Sequence, residues 1–82
     1  MKAKRTIEKT APILAAPFVG ITGRTRVTIE SHSGISEFTP QEIRVRLSDG
    51  CLVIRGADLS VDYMSENSLA VSGSISSVAF AE

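Results

Sequence analysis

Cysteine, tryptophan and aromatic rings are what this 82-residue chain has least of: one Cys, no Trp, three Phe and one Tyr. A single cysteine excludes an internal disulfide and a cysteine-based zinc site, and it suits a reducing compartment better than a disulfide-stapled secreted domain. The four rings, Phe18, Phe38, Tyr63 and Phe80, fall mostly in core-like register and give little to stack bases on, which nucleic-acid-binding sheets normally need. No run approaches the ~20 consecutive apolar residues of a membrane-spanning helix. There is one histidine, His32, and no Gly-x-Ser-x-Gly elbow that would present a serine nucleophile. The length excludes two independent cores, so one small domain is expected.

What is there begins with charge. Nine Lys and Arg balance nine Asp and Glu, but not evenly along the chain. Residues 1–55 carry all nine bases against five acids, a net +4, and residues 56–82 carry four acids and no base, a net −4. Such a division can favour head-to-tail association or one charged partner, but ordinary solvated sheet faces are the simpler reading and the one expected here. Residues 1–17, MKAKRTIEKTAPILAAP, form a basic Ala/Pro arm. It opens like a signal peptide, but Pro12 and Pro17 interrupt its apolar part and it is poor in leucine, so a frayed or partly helical arm is expected instead.

From Phe18 onward the period is two. Val27 and Ile29 alternate with Arg26, Thr28 and Glu30, and Ile43, Val45 and Leu47 alternate with Arg44 and Arg46. Ser31-His32-Ser33-Gly34 and Ser65-Glu66-Asn67-Ser68 read as turns. Thr39-Pro40-Gln41-Glu42 has capping-box spacing but room for one helical turn at most. Asp49-Gly50 reads as a hairpin turn, with glycine supplying the positive φ of a primed turn. Strand following strand, with Gly/Asx/Ser turns between, predicts an all-β fold: a small antiparallel β-sandwich of short hairpins over residues 18–82.

Two features stand out within that pattern. Leu52-x-Ile54-x-Gly56 is echoed by Leu69-x-Val71-x-Gly73. The repeats are too few to stack as a solenoid, so each glycine is expected to let a strand bulge or bend from one sheet layer to the next. The second feature is Cys51-Leu52-Val53-Ile54, an unbroken apolar run where a half-wet strand would alternate. Leu52 and Ile54 should face the core. Cys51 and Val53 would then need a cover from the arm, from a loop or from another chain, and a homo-oligomer is one way to supply it.

A search for chemistry yields little. A triad on His32 would draw on Asp49, Asp58 or Asp62, but His32 sits in a turn cluster where a capping or exposed imidazole is the default. Cys51 lies in an apolar run, as an inert buried thiol does. The residues offer no metal-ligand spacing, no calcium loop and no phosphate cradle, so no catalytic residue, metal site or cofactor is assigned. Arg24, Arg26, Arg44, Arg46 and Arg55 could share one sheet face and bind nucleic acid or an acidic membrane surface. The scarcity of rings and the nearness of Glu30, Glu42 and Asp49 favour a cross-paired, solvated face instead. The candidate interaction face is therefore these five arginines with Cys51 and Val53.

The order of elements also resembles a known family. Ile21-Thr22-Gly23, Val27-x-Ile29-Glu30-x-His32-x-Gly34-Ile35, Phe38, Glu42-Ile43-Arg44-Val45, Gly50-x-Leu52-x-Ile54-x-Gly56-x-Asp58-Leu59 and Leu69-x-Val71-x-Gly73-x-Ile75-x-x-Val78 are similar to the YabP/YqfC family of bacterial sporulation proteins, and closer to its YqfC branch. The likeness spans residues 18–82 and leaves out the arm. It implies a β-sandwich made in endospore-forming bacteria, cytoplasmic in the mother cell or peripheral at the forespore membrane. It implies no enzymatic activity and no catalytic residues to carry over. YqfC-type proteins are commonly encoded beside a membrane protein of the same programme, so a protein partner of that kind is the expectation, and nucleic acid is disfavoured.

Overall fold

Alternation of aliphatic and polar residues gives six strands in the computed structural model, which describes residues 17–82. They are β1 (Phe18–Thr22), β2 (Arg26–Glu30), β3 (Ile35–Thr39), β4 (Glu42–Leu47), β5 (Gly50–Met64) and β6 (Ser68–Ala81). The arm expected over residues 1–17 lies outside the described residues apart from Pro17. All six strands join one antiparallel sheet in the order β1-β2-β6-β5-β4-β3. No helix occurs among the described residues; Thr39 to Glu42 make the tight β3–β4 turn, where Thr39 Oγ1 accepts the backbone N–H groups of Gln41 and Glu42.

The two long central strands each serve both halves of this sheet. The first part of β5 pairs with β4, from Leu47↔Gly50 to Glu42↔Arg55, and with the last part of β6. The first part of β6 pairs with β2, from Arg26↔Ser72 to Glu30↔Ser68, and with the last part of β5. Register shifts between Arg55 and Gly56 and between Ala57 and Ser60 mark where β5 passes from one half to the other. A Cβ on Gly56 would run into the Ser74 carbonyl, and one on Gly73 (φ +144°) would lie 2.8 Å from the Asp58 carbonyl oxygen. Glycine is what lets the two backbones cross this closely, as the echoed glycines suggested. Asp58 adds a left-handed residue at the same bend (φ 56°).

The turns of the outer hairpins pin the bend from both sides. Gly56 N–H donates to Gln41 O (3.0 Å) and Leu59 N–H to Pro40 O (2.9 Å); on the other strand Gly73 N–H donates to Thr25 O (3.1 Å) and Ile75 N–H to Arg24 O (2.8 Å). The core follows the same two-part plan. Ile43↔Ile54 and Val45↔Leu52 in one half correspond to Val27↔Val71 and Ile29↔Leu69 in the other. All eight side chains are fully buried and belong to a single cluster, so the halves share one core. The sandwich is thus one sheet bent on itself, not two separate sheets.

Three local expectations change. The β4–β5 hairpin loop is Ser48-Asp49, since Leu47 pairs with Gly50; Gly50 (φ 149°) is the first strand residue, pressed against Ala81. The segments expected as separate short strands on either side of Gly56 and Gly73 are continuous, 15 and 14 residues long. The aromatics expected mostly in core register, Phe18, Phe38, Tyr63 and Phe80, are all exposed. Phe38 pairs with Ile43 and Phe80 with Leu52, so both hold inner-face register, but each lies on a strand with a neighbour on one side only. The opposing layer does not reach that far.

Candidate interaction face

Strand register decides which of the candidate residues meet. On the outer face of the β3-β4-β5-β6 half, Arg44 lies beside Val53, Arg46 beside Cys51, and Glu42 beside Arg55, with Ala79, Ala81 and Ser77 completing the rows on β6. Five of the seven candidates therefore share one face. Arg26 belongs to the other half, on β2, separated from β4 by both long strands, and Arg24 sits in the β1–β2 turn. The shared face of five arginines is corrected to three arginines and two outliers.

Two of those three arginines, Arg44 and Arg55, pair with carboxylates, and Arg46 makes no ion pair among the described residues. Glu42 accepts the Arg44 Nε–H on Oε2 (2.7 Å) and the Arg55 Nε–H on Oε1 (3.0 Å), one guanidinium per oxygen. Glu37, opposite Arg44 on β3, adds a longer ion pair at 3.4 Å. The hydrogen bonds from Arg44 and then Arg55 hold the Glu42 carboxyl below its ordinary value, and Glu42 in turn raises that of Arg44. In the other half Arg26 Nη1 bonds Asp62 Oδ2 at 2.7 Å, and Ser72 Oγ donates to the same oxygen. Glu30 and Asp49, expected as further partners, make no ion pair among the described residues. A chain of alternating charges in water contributes little net energy per pair and does not offer a free cationic surface.

The rings do not interleave with these arginines. Phe38 and Phe80 hold inner-face register, opposite to Arg44, Arg46 and Arg55. Phe18 and Tyr63 lie on the outer face of the other half, beside Glu30 and Ala70. A base stacked on any of them would not reach the three-arginine row across the sheet.

The apolar run 51–54 resolves differently on its two faces. Leu52 and Ile54 are fully buried in the core, as expected. Val53 is only 4% exposed, although it points away from that core, between Arg44 and Ala79. Cys51 is half-buried between Arg46 and Ala81. The chain covers Val53 by itself, so this position does not require a second molecule.

His32 is buried (8% exposed) rather than turned to solvent. Its Nδ1 accepts the Gly34 backbone N–H (3.0 Å), which leaves the proton on Nε2, donated to the Ser65 carbonyl (3.0 Å). Ser31 N–H donates to Asn67 O (2.7 Å) alongside it. Together these bonds tie the β2–β3 connection to the β5–β6 turn. Among the described residues no carboxylate or serine hydroxyl bonds the ring, so the arrangement is a structural clasp and not a relay. Two polar residues in turn clusters some 30 positions apart gave no sign of this contact in the sequence. Among the described residues no group of three or more His, Cys, Asp or Glu is arranged to hold a metal, and no helix is long and apolar enough to cross a membrane.

The order of these elements can now be set against known proteins. The YabP family model matches residues 16–82, four-fifths of the chain and every strand of the sheet. The chain belongs to the YabP family. Membership suggests a sporulation-associated role, and the YabP family is not known as an enzyme family. No curated protein matches the chain. The arginine and carboxylate face, the His32 clasp and the exposed rings are thus features of a YabP-family sheet.

Proposed function

We propose that this YabP-family protein is a non-enzymatic component of endospore development that works by binding other proteins, as a scaffold or accessory subunit. The family match over residues 16–82 carries the reading. Within the family the motif order favours the YqfC branch, and a mother-cell protein working at the forespore surface, beside a membrane protein of the same programme, is the setting that branch implies. Exposed Phe18, Ile21, Phe38, Tyr63, Met64 and Phe80 support a binding role, because so many large apolar side chains on a domain this small are what a partner covers.

The test is genetic and biochemical together. Cells of the source bacterium lacking the chain should yield far fewer heat-resistant spores, and wild-type protein supplied from elsewhere in the genome should restore them. A tagged chain should retain a discrete membrane-fraction partner from sporulating cells and not from vegetative ones. Undiminished spore yield would sink the sporulation role. Restored sporulation with no retained protein at any stage would sink the binding role.

A further inference from the structure

Among the described residues the sheet ends on four edges, and they are not equally guarded. β3 carries Glu37, and the last part of β5 carries Asp58 and Asp62. β1 is uncharged but only five residues long and follows Pro17. The last part of β6 differs from all three. The whole strand, SLAVSGSISSVAFA, has no charge and no proline over 14 residues. Beyond Ile75, whose N–H is taken by Arg24 O, residues 76–81 pair with β5 alone among the described residues. Edge strands are normally blunted by Lys, Pro or an inward charge, and this one has none. Phe80, 71% exposed, is the most exposed of the large apolar side chains.

Two concavities lined by described residues lie along this edge, one at each end. A groove of about 510 Å³ at the start of the segment is lined by Ile21, Arg24, Ile75, Ser77 and Val78 among others. A smaller hollow of about 270 Å³ at its finish is lined by Leu47, Asp49, Cys51, Phe80 and Glu82. The charges divide the same way. Arg24 stands at the first end, and Asp49 and Glu82 at the second; none of the three makes an ion pair among the described residues. Arg46 shares a row with Cys51 and Ala81 near the acidic end, but it lies two strands away from β6.

We propose that the edge of β6 from Ser76 to Glu82 receives the same segment of a second copy, antiparallel, about a two-fold axis at Ala79. An uncharged strand meets its own copy without like-charge repulsion, and backbone pairing at a free edge is an established mode of association. In this register Ser76 faces Glu82 of the second copy, Ser77 faces Ala81, and Val78 faces Phe80. Each Phe80 is set at the mouth of the other copy's groove beside Ile21 and Val78. The antiparallel sense brings the acidic end of each copy to Arg24 of the other, twice over; a parallel pairing would set acid beside acid. The contact is isologous and therefore closes at two chains. It joins two four-stranded halves into one eight-stranded sheet. The inference rests on the reading that the domain works by binding protein, and it names a second copy of the chain as a partner.

Size exclusion with light scattering on the full chain, over a range of concentrations, tests it. Wild type should give twice the 8.7 kDa of the chain. Phe80→Lys, at an exposed position, should give monomer with an unchanged circular dichroism spectrum and melting temperature. Arg24→Glu should weaken the dimer at least tenfold, and adding Glu82→Arg should restore it. Backbone amides of residues 76–81 should exchange faster with solvent in Phe80→Lys than in wild type. A wild-type chain that is monomeric throughout overturns the proposal, while retention of a membrane-fraction partner separately decides the binding reading. A dimer unmoved by Phe80→Lys, or an open assembly growing with concentration, overturns it equally.

Discussion

His32 does with one ring what a turn sequence alone does not: it joins two loops 33 residues apart in the chain. Both of its nitrogens are occupied by backbone groups, Gly34 N–H and Ser65 C=O, in a site shielded from water. Removing the ring strands a donor and an acceptor, so His32→Ala should cost about 1–3 kcal/mol in urea unfolding. The two bonds can be separated. Asn carries an oxygen near the Nδ1 position and should recover the Gly34 bond. Gln carries an amide N–H near the Nε2 position and should recover the Ser65 bond. Each variant should fall between Ala and wild type. An alanine variant as stable as wild type would show that the clasp contributes nothing. The sequence offered His32 only as a turn residue; the partner at Ser65 comes from the tertiary path of β5, which no local pattern encodes.

At the scale of the element, the strands were legible where one face is wet and one dry. Alternation located β2 and β4 to within a residue or two, because burial on a single face leaves its period in the sequence. It failed for β5 and β6. Their first halves sit centrally in the sheet and their second halves on an edge, so the pattern changes at Gly56 and Gly73 and each strand reads as two. Face assignment fared unevenly as well. Leu52 and Ile54 could be placed, but the burial of Val53 on the opposite face could not, because strand alternation says which face a residue takes and not what lies over it.

The β4–β5 pair also has a pH dependence of known sign. Arg44 and Arg55 lower the Glu42 pKa in the folded protein relative to the unfolded chain. Glu42 therefore adds stability that is present above the unfolded carboxyl pKa and lost as pH falls through the lowered folded value. Wild type should exceed Glu42→Gln in melting temperature at neutral pH, and the gap should close on acidification below the ordinary carboxylate range. Added salt should narrow it too, since Arg55 is exposed and Arg44 only half-buried. A gap that widens in acid would contradict the pairing.

For the molecule as a whole, the two-part plan makes one thermodynamic unit. Leu52 and Leu69 hold equivalent places, each beside a β-branched residue of its outer hairpin, Val45 and Ile29, and each fully buried. The motif echo around them was visible in the sequence, but its meaning was not: similarity between two strands does not say whether their layers share a core. The single cluster of buried side chains says that they do. Truncation of either leucine to alanine should then cost roughly 2–5 kcal/mol, a large share of the about 4–12 kcal/mol available to a chain of this length. The loss should be global in both cases. In Leu52→Ala, amides of β2 should lose protection against hydrogen exchange together with those of β4, and Leu69→Ala should do the same in the opposite direction. Denaturant slopes should match wild type, because the surface exposed on unfolding is still that of both halves. Protection retained in one half while the other exchanges would mean two separable layers, and the bend at Gly56 and Gly73 would then be a hinge between them rather than a fold within one core.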